Sequence, residues 1–231
     1  MSAVFARSAL LLALVAPALR AQSTVNIPVG LQVGIPQGEF AENVRIAGGV
    51  GGGALWRMGG AFALRADLGV MIYGSETRRV PLGGGALGLI NVDVQTTNSI
   101  FGGSIGGQVG VPGPRMMPYF GGSIGFSAFT TSSSVSGSNS NDEPFASSTN
   151  SNDGTFAKTA FGGIYIPFGR GTVVMDLGVR HTWNGERVRY LTPGDITEDG
   201  NGDVVLNPRE SRADILTVIL GVSFTPGGRR Q

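Results

Sequence analysis

The chain has 231 residues, a formal net charge of +1, only 14% charged residues and no cysteine. A balance so near neutral offers no footprint for nucleic acid or a strongly charged partner, and the lack of cysteine excludes a disulfide framework and a lipid-modified N-terminal cysteine. Glycine contributes 39 residues with no collagen-like period, and glycine at that level inside apolar runs disfavours helix.

The first segment reads as an export signal. Arg7 gives a positive start, Ser8 to Val15 an apolar run, and Ala16-Pro17-Ala18 or Leu19-Arg20-Ala21 a small-residue cleavage site. The run is far shorter than the ~20 residues a spanning helix needs. Residues 1–21 are therefore assigned to the signal and residues 22–231 to a single exported domain. No later run reaches the ~18 apolar residues of a membrane-spanning helix.

From there the chain alternates with a period of two through about eight segments, the signature of strands with unlike faces. The first, Pro28 to Pro36, sets Val29, Leu31, Val33 and Ile35 against Gly30, Gln32 and Gly34. After the polar stretch Gln37 to Asn43, the second, Val44 to Trp56, puts Arg45 opposite Val44, Ile46, Val50 and Trp56. A tight connection, Arg57-Met58-Gly59-Gly60, leads into the third, Ala61 to Tyr73. There Phe62, Leu64, Leu68, Val70 and Ile72 oppose Arg65, Asp67 and Tyr73.

Ser75 to Gly88 is a polar, Gly-rich link. The fourth segment ends with Phe101, Ile105, Val109 and Val111 opposite Ser104 and Gln108, and a proline-punctuated turn, Pro112 to Pro118, follows. Tyr119 to Phe129 is the fifth segment, and the Ser/Asn tract from Thr130 to Gly154 reads as a flexible surface loop. In the sixth, Thr155 to Phe168, one face carries Phe156, Ala160, Ile164, Ile166 and Phe168 together with Lys158; the other offers Phe161 and Tyr165. Lys158, near the long-loop end, is expected to snorkel toward headgroups.

The seventh segment shows the pattern most plainly. Val173, Met175, Leu177, Val179, His181 and Trp183 alternate with Asp176, Gly178, Arg180, Thr182 and Asn184. Asp176 and Arg180, four apart, point to one side. Leu191 to Arg212 is a long loop, and Asp214 to Phe224 closes the chain with Leu216, Val218, Leu220, Val222 and Phe224 on one side.

Connections after the second, fourth and sixth segments are short, and the others long. That alternation describes an up-and-down meander, tight at one end and elaborated at the other. Eight antiparallel strands without helix expose edges unless the sheet closes, so a barrel is expected. Three features invert it relative to a soluble barrel. The polar-face charges (Arg45, Arg65, Asp67, Asp176, Arg180) are few and of both signs, which suits pairing in a narrow interior. The same face is rich in residues small enough for an eight-stranded tube. Aromatics fall in two sets: Trp56, Phe62, Phe120, Phe168 and Phe224 beside the short turns; Tyr73, Phe129, Phe156, Trp183 and Tyr190 near the long loops, as two interfacial girdles would.

Val29 to Phe40, the Gly-rich second segment, Met175 to Trp183 and Ile219 to Phe224 together resemble the small outer-membrane β-barrel proteins of Gram-negative bacteria, the OmpA/OmpX-like group. The resemblance covers nearly the whole mature chain. It implies export by the general secretory route, periplasmic chaperoning and insertion by the barrel-assembly machinery, which in this group recognises a final strand ending in an aromatic. Phe224 fits, and Thr225 to Gln231 follow it.

Three motifs compete for a chemical role. His181 is the sole histidine. Some barrel enzymes that trim lipid A pair a membrane-facing histidine with a serine, but here Trp183 holds the next outward position, which favours a neutral imidazole at headgroup level. Asp199 to Glu210 spaces oxygen ligands like a calcium loop, but Val204 replaces the glycine at its sixth position and no helices flank it, so a solvated loop is favoured. Gly49 to Ala54 imitates a dinucleotide fingerprint, but a turn follows where a helix is required.

The expectation is an all-β, eight-stranded antiparallel up-and-down transmembrane barrel, monomeric, without cofactor, metal or catalytic residues. Its partners are outer-membrane lipid and, during insertion, the assembly machinery. The N-terminus and short turns are periplasmic and the long loops external. Its role is structural or interactive at the surface, with Arg45, Arg65, Asp67, Asp176 and Arg180 plugging the lumen or, alternatively, lining a small pore. A secreted lipocalin-like barrel around an apolar ligand is the competing reading, and a lipid-modifying enzyme a lesser one. Fractionation separates membrane from secreted barrel: the chain is expected to stay with the membrane pellet through a carbonate wash, whereas release into the supernatant would favour the soluble barrel.

Overall fold

The computed structural model describes residues 25–81, 91–111, 113, 115–137, 146–168, 173–198 and 204–226. The assigned signal and Asp199 to Asp203 of the calcium-like loop lie outside the described residues. Twelve strands are present among those described. Eight form a closed barrel: β1 (Val25–Pro36), β2 (Ala47–Gly59), β3 (Phe62–Pro81), β4 (Asn91–Gly110), β5 (Met117–Gly137), β6 (Ala146–Phe168), β7 (Val173–Asn184) and, last in the chain, β12 (Ile215–Phe224). Between β7 and β12 lie β8 (Arg187–Tyr190), β9 (Ile196–Glu198), β10 (Val204–Leu206) and β11 (Arg209–Arg212). β8 pairs with β11 and β9 with β10. A short 3-10 helix, Gly38–Glu42, follows β1.

Every barrel pair is antiparallel, and each strand pairs with its chain neighbours on the barrel. The ring closes where β1 meets β12, from Ile27↔Phe224 to Pro36↔Ile215. The alternation maps directly onto the two faces. Leu31, Val50, Leu68, Phe120 and Leu220 point outward and are more than half exposed. Arg65, Asp67, Gln108 and Asp176 point inward and are buried. An apolar exterior around a polar interior is the arrangement of a membrane-spanning barrel. Leu177 and Val179, paired with Leu220 and Val218, lie on the outer face. The turn from β2 to β3 is made by Gly59 and Gly60, with φ of 110° and 59°, which only glycine adopts readily.

The strands differ from the sequence reading chiefly in length. β3 to β6 span 20, 20, 21 and 23 residues against 12, 13, 12 and 10 for β1, β2, β7 and β12, so one side of the barrel extends beyond the rim at the long-loop end. The link after Tyr73 and both ends of the Ser/Asn tract, read above as loops, are strand as far as they are described. The β4–β5 pairing keeps its register throughout, as in Thr97↔Ser132 and Thr96↔Ser133, and the ladders on either side resume after one irregularity each, at Ile72/Gly74 on β3 and Thr131/Ser132 on β5. Hydroxyls then pair across it: Thr96 Oγ1 lies 2.9 Å from Ser133 Oγ, and Thr131 donates to Asn98 Oδ1 at 2.7 Å. Cross-strand Thr and Ser bonds of this kind stabilise a ladder that composition alone reads as loop.

Glycine spacing sets where the wall tolerates bulk. A Cβ on the inward Gly49 would fall 1.9 Å from the Val70 carbonyl oxygen and 2.6 Å from Met71 Cα, both backbone atoms that cannot yield. One on the outward Gly48 would meet nothing within 4 Å. Gly49→Val is therefore expected to cost about 1–3 kcal/mol or more and Gly48→Val within about 0.5 kcal/mol, read from urea unfolding of the bilayer-inserted barrel. Equal effects would contradict the assigned faces.

Candidate functional site

The interior is filled in layers. Nearest the short turns, Tyr119, Phe161, Tyr165 and Val174 form a buried cluster with Met117 against it. Tyr119 and Tyr165 stack, with ring centroids 4.4 Å apart. Tyr119 reaches across the bore because glycine faces it: a Cβ on Gly163 or Gly178 would sit 2.6 or 2.7 Å from its hydroxyl oxygen.

Above this lies the ionic layer. Arg65 Nε is 2.8 Å from Asp67 Oδ2, and Arg180 NH2 approaches the same oxygen at 3.3 Å. Arg65 also donates to Gln108 Oε1 at 3.0 Å and to the Tyr165 hydroxyl at 3.4 Å, and its guanidinium carbon stands 5.0 Å from the Phe161 ring centroid. Asp176 accepts a 2.6 Å hydrogen bond from the Tyr119 hydroxyl. Two arginines and two aspartates balance to zero, as charges removed from water must. Deeper in the bore from Arg180, Gln32, Ser104, Ser127, Thr159, Thr182 and Thr217 line a cavity of about 60 Å³, room for a few waters.

At the long-loop end the bore is occupied by aromatics. Phe40, on the 3-10 helix, is fully buried; its ring stands edge-on to Tyr190, Tyr73 and Phe129 at centroid distances of 5.1, 5.7 and 6.0 Å. Edge-to-face packing of this kind adds to what burial alone contributes. Val44, Val188, Ala213 and Ile215 complete the cluster. The Tyr190 hydroxyl is satisfied by Ser211 at 2.8 Å and by Asn43 Nδ2 at 3.1 Å.

Outside this cap, ion pairs tie the loops together. Arg187 bonds Glu39 Oε2 at 2.7 Å, joining the β8–β11 hairpin to the 3-10 helix. Arg209 grips Asp195 at 2.9 Å and Asn43 Oδ1 at 2.6 Å, and Glu76 on β3 accepts from Gly194 N at 2.8 Å. Burial alone would raise the Asp195 carboxyl, but Arg209 and the Thr192 hydroxyl and N–H outweigh it and hold the group below the usual carboxylate range. Glu76 is likewise held low, chiefly by Arg78.

Of the five charges expected to share the lumen, the structure brings together Arg65, Asp67, Asp176 and Arg180 and leaves out Arg45. Arg45 precedes β2, which begins at Ala47, and stands exposed at the loop end. The alternation beginning at Val44 extends past the strand: Val44 turns into the aromatic cap, so Arg45 has no lumen to enter. The long-loop girdle also needs correction. Phe156 and Trp183 do face outward, but Tyr73, Phe129 and Tyr190 point inward and build the cap. His181 lies on the outer face with its ring 4.4 Å from that of Trp183. Glu210, the last ligand of the calcium-like spacing, faces Arg187 and Arg189 instead, at 3.6 and 3.8 Å. Among the described residues no three acidic, His or Cys side chains are grouped to hold a metal.

The partners that sequence reading missed are Gln108, Tyr119 and Tyr165, all on the inward parity of their strands, and Phe40, hidden in a polar stretch. The Arg187-Val188-Arg189-Tyr190 alternation, not read above as a strand, forms β8.

The fold is a closed eight-stranded antiparallel barrel with an apolar outer face. No protein-family profile matches the chain, and no curated sequence does. Among solved structures, it resembles Neisserial surface protein A at 11% identity and a TM-score of 0.43, covering 87% of this chain and 96% of that one. The attachment invasion locus protein of Yersinia pestis, Ail, is similar at 9% identity and 0.46, with 89% and 99% covered. The N-terminal β-barrel domain of Pseudomonas aeruginosa OprF is similar at 13% identity and 0.36, with 88% and 99% covered. The barrel assignment rests on the chain's own strand ladder and faces.

Two predictions follow from the layers. Asp67→Ala strands two buried guanidinium groups and is expected to cost about 3–5 kcal/mol in urea unfolding; a change under about 1 kcal/mol would show that Asp67 does not balance them. For Asp195, whose folded carboxyl sits low, the stabilisation is complete above the ordinary value of about 3.9 and lost as pH falls toward the lower folded value. The protection factor of the Thr192 and Asp195 amides, taken against the intrinsic exchange rate at each pH, is therefore expected to fall at acid pH in the wild type and to be low at every pH in Asp195→Asn.

Proposed function

We propose that this chain spans the outer membrane as a monomeric, closed barrel without catalytic activity, with its short turns in the periplasm, and acts at its loop face as a structural or surface-interaction protein. What supports the reading is that side chains reach across the bore at successive levels. Phe40, Phe129 and Tyr190 are at most 1% exposed at one end, and the ionic layer and Tyr119–Tyr165 stack follow toward the other. Three voids between them are about 60, 20 and 70 Å³. The smallest suits about one water and the other two a few, and none of the three suits an apolar cargo of the size lipocalins carry.

The two arginines share Asp67 and Asp176 is held by the Tyr119 hydroxyl, so the layer carries two charges of each sign, which suits a plug better than a selectivity filter. A filter needs a ring of unopposed charge or dipoles facing the path. The loop face, by contrast, is braced by Arg187–Glu39 and Arg209–Asp195 within the loops, and Glu76 on β3 and Asp153 on β6 accept from Gly194 N and Arg189 N, which ties the loops to two of the extended strands. Trp183 beside His181 leaves no outward hydroxyl two residues on for a nucleophile, which favours the non-catalytic reading.

Planar-bilayer recording tests the plug. The barrel is expected to show no steady conductance, and a large, stable one would overturn it in favour of the pore.

A further inference from the structure

The membrane-facing belt carries almost no ionisable groups. Among the described outward residues between the two rims, Lys158 is the only charged side chain and His181 the only imidazole. Chance would scatter them, yet they are neighbours. Lys158 on β6 is the register partner of Trp183 on β7, and His181 pairs with Ala160 two residues further down, so the three side chains share one outward patch two strands wide. The imidazole already lies against the indole, with ring centroids 4.4 Å apart. Diagonal neighbours on adjacent strands are about 7–8 Å apart, within reach of a lysine stem.

The patch sits at the loop-side rim. The β6–β7 ladder ends at Ala157↔Asn184, one pair above Lys158↔Trp183. Phe156, about half exposed, stands beside it. An unpaired ammonium in hydrocarbon is costly, and Lys158 has no carboxylate partner among the described residues. Its stem can lie along the apolar wall and lift the ammonium into the headgroup layer. Tryptophan at that depth turns its indole N–H the same way.

We infer that Lys158, His181 and Trp183 form a site for the phosphomonoester headgroup of a membrane lipid in the loop-side leaflet. The patch offers ammonium, imidazole and indole N–H donors and no charged acceptor, and a monoester offers three terminal oxygens and the larger negative charge. A phosphodiester beside a choline matches less well, because its own cation competes with Lys158. The site rests on the reading that the barrel spans a membrane.

Native mass spectrometry of the folded full chain, titrated separately with phosphatidic acid, phosphatidylcholine and inorganic phosphate, tests the site. The wild type is expected to retain one phosphatidic acid with a preference of about fivefold to tenfold over phosphatidylcholine. Lys158→Gln with His181→Gln brings the two lipids to parity, and Lys158→Arg keeps the preference. Both positions face lipid, so β-sheet circular dichroism is expected to be unchanged; should the double variant misfold, Lys158→Gln alone serves. An equal preference in wild type and the glutamine variant, no preference in the wild type, or inorganic phosphate displacing the lipid would each overturn the proposal. Insertion of the wild type into phosphatidylcholine vesicles is measured alongside. Failure to insert defeats the membrane reading itself, whereas insertion without preference defeats only the lipid site.

Discussion

In hydrocarbon no water can satisfy a backbone amide, so a sheet can cross a membrane only if it has no edge. Everything else in this chain follows from the seam that removes it, where β1 and β12 run side by side from Ile27↔Phe224 to Pro36↔Ile215. The two backbones approach so closely at Gly30 and Gly221 that a Cβ on Gly221 would come within 2.5 Å of the Val29 carbonyl oxygen. First and last strands are therefore matched in both register and bulk. Closure with eight strands also fixes a bore just wide enough for side chains. Whatever points inward must pack, and whatever is charged there must be paired.

The bore is packed by setting large residues over small ones. Tyr119 spans to Gly163 and Gly178, Phe161 rests against Gly121, and Gln32 lies over Gly51 and Gly69. These contacts carry Tyr119 to Asp176 and frame Arg65 between Asp67, Gln108 and the Phe161 ring. Paired buried charges of this kind contribute little net stability compared with apolar packing, but removing one partner is severe. Their use here is to specify the inward face, since a one-residue slip of β3 would place Arg65 and Asp67 in lipid. The aromatic cap works differently. It draws Phe40 and Val44 from the first loop and Val188 and Tyr190 from the last onto the barrel mouth, so loops far apart in sequence share one core.

Much of this was legible in the alternation, because a strand between lipid and lumen must change character at every residue. The faces of β3 and β7 could be read from Arg65, Asp67, Asp176 and Arg180 against their apolar neighbours, and Phe156 and Ile164 set the face of β6 even though that turned Lys158 outward. Three features misled. Alternation does not announce where a strand ends, so Arg45 was carried into a lumen it lies beyond. Aromatic residues at a rim look alike whether they face headgroups or close the mouth; Tyr73 and Phe129 follow the inward parity of their strands, and parity rather than position decides. Serine and threonine read as loop, yet between paired neighbours they continue a ladder, as Thr131 and Asn98 do. Phe40 had no signal beyond being the one large apolar residue in a polar stretch.

The central claim is that apolar side chains face lipid and ionic ones face the bore. The chain has no cysteine, so single cysteines placed at 216–220, 222 and 223, leaving Gly221 untouched, and spin-labelled in bilayers report each face without background. Oxygen accessibility is expected to alternate, high at 216, 218, 220 and 222 and low at 217, 219 and 223. The reverse phase, or high accessibility to a water-soluble relaxant at 218 and 220, would contradict the account.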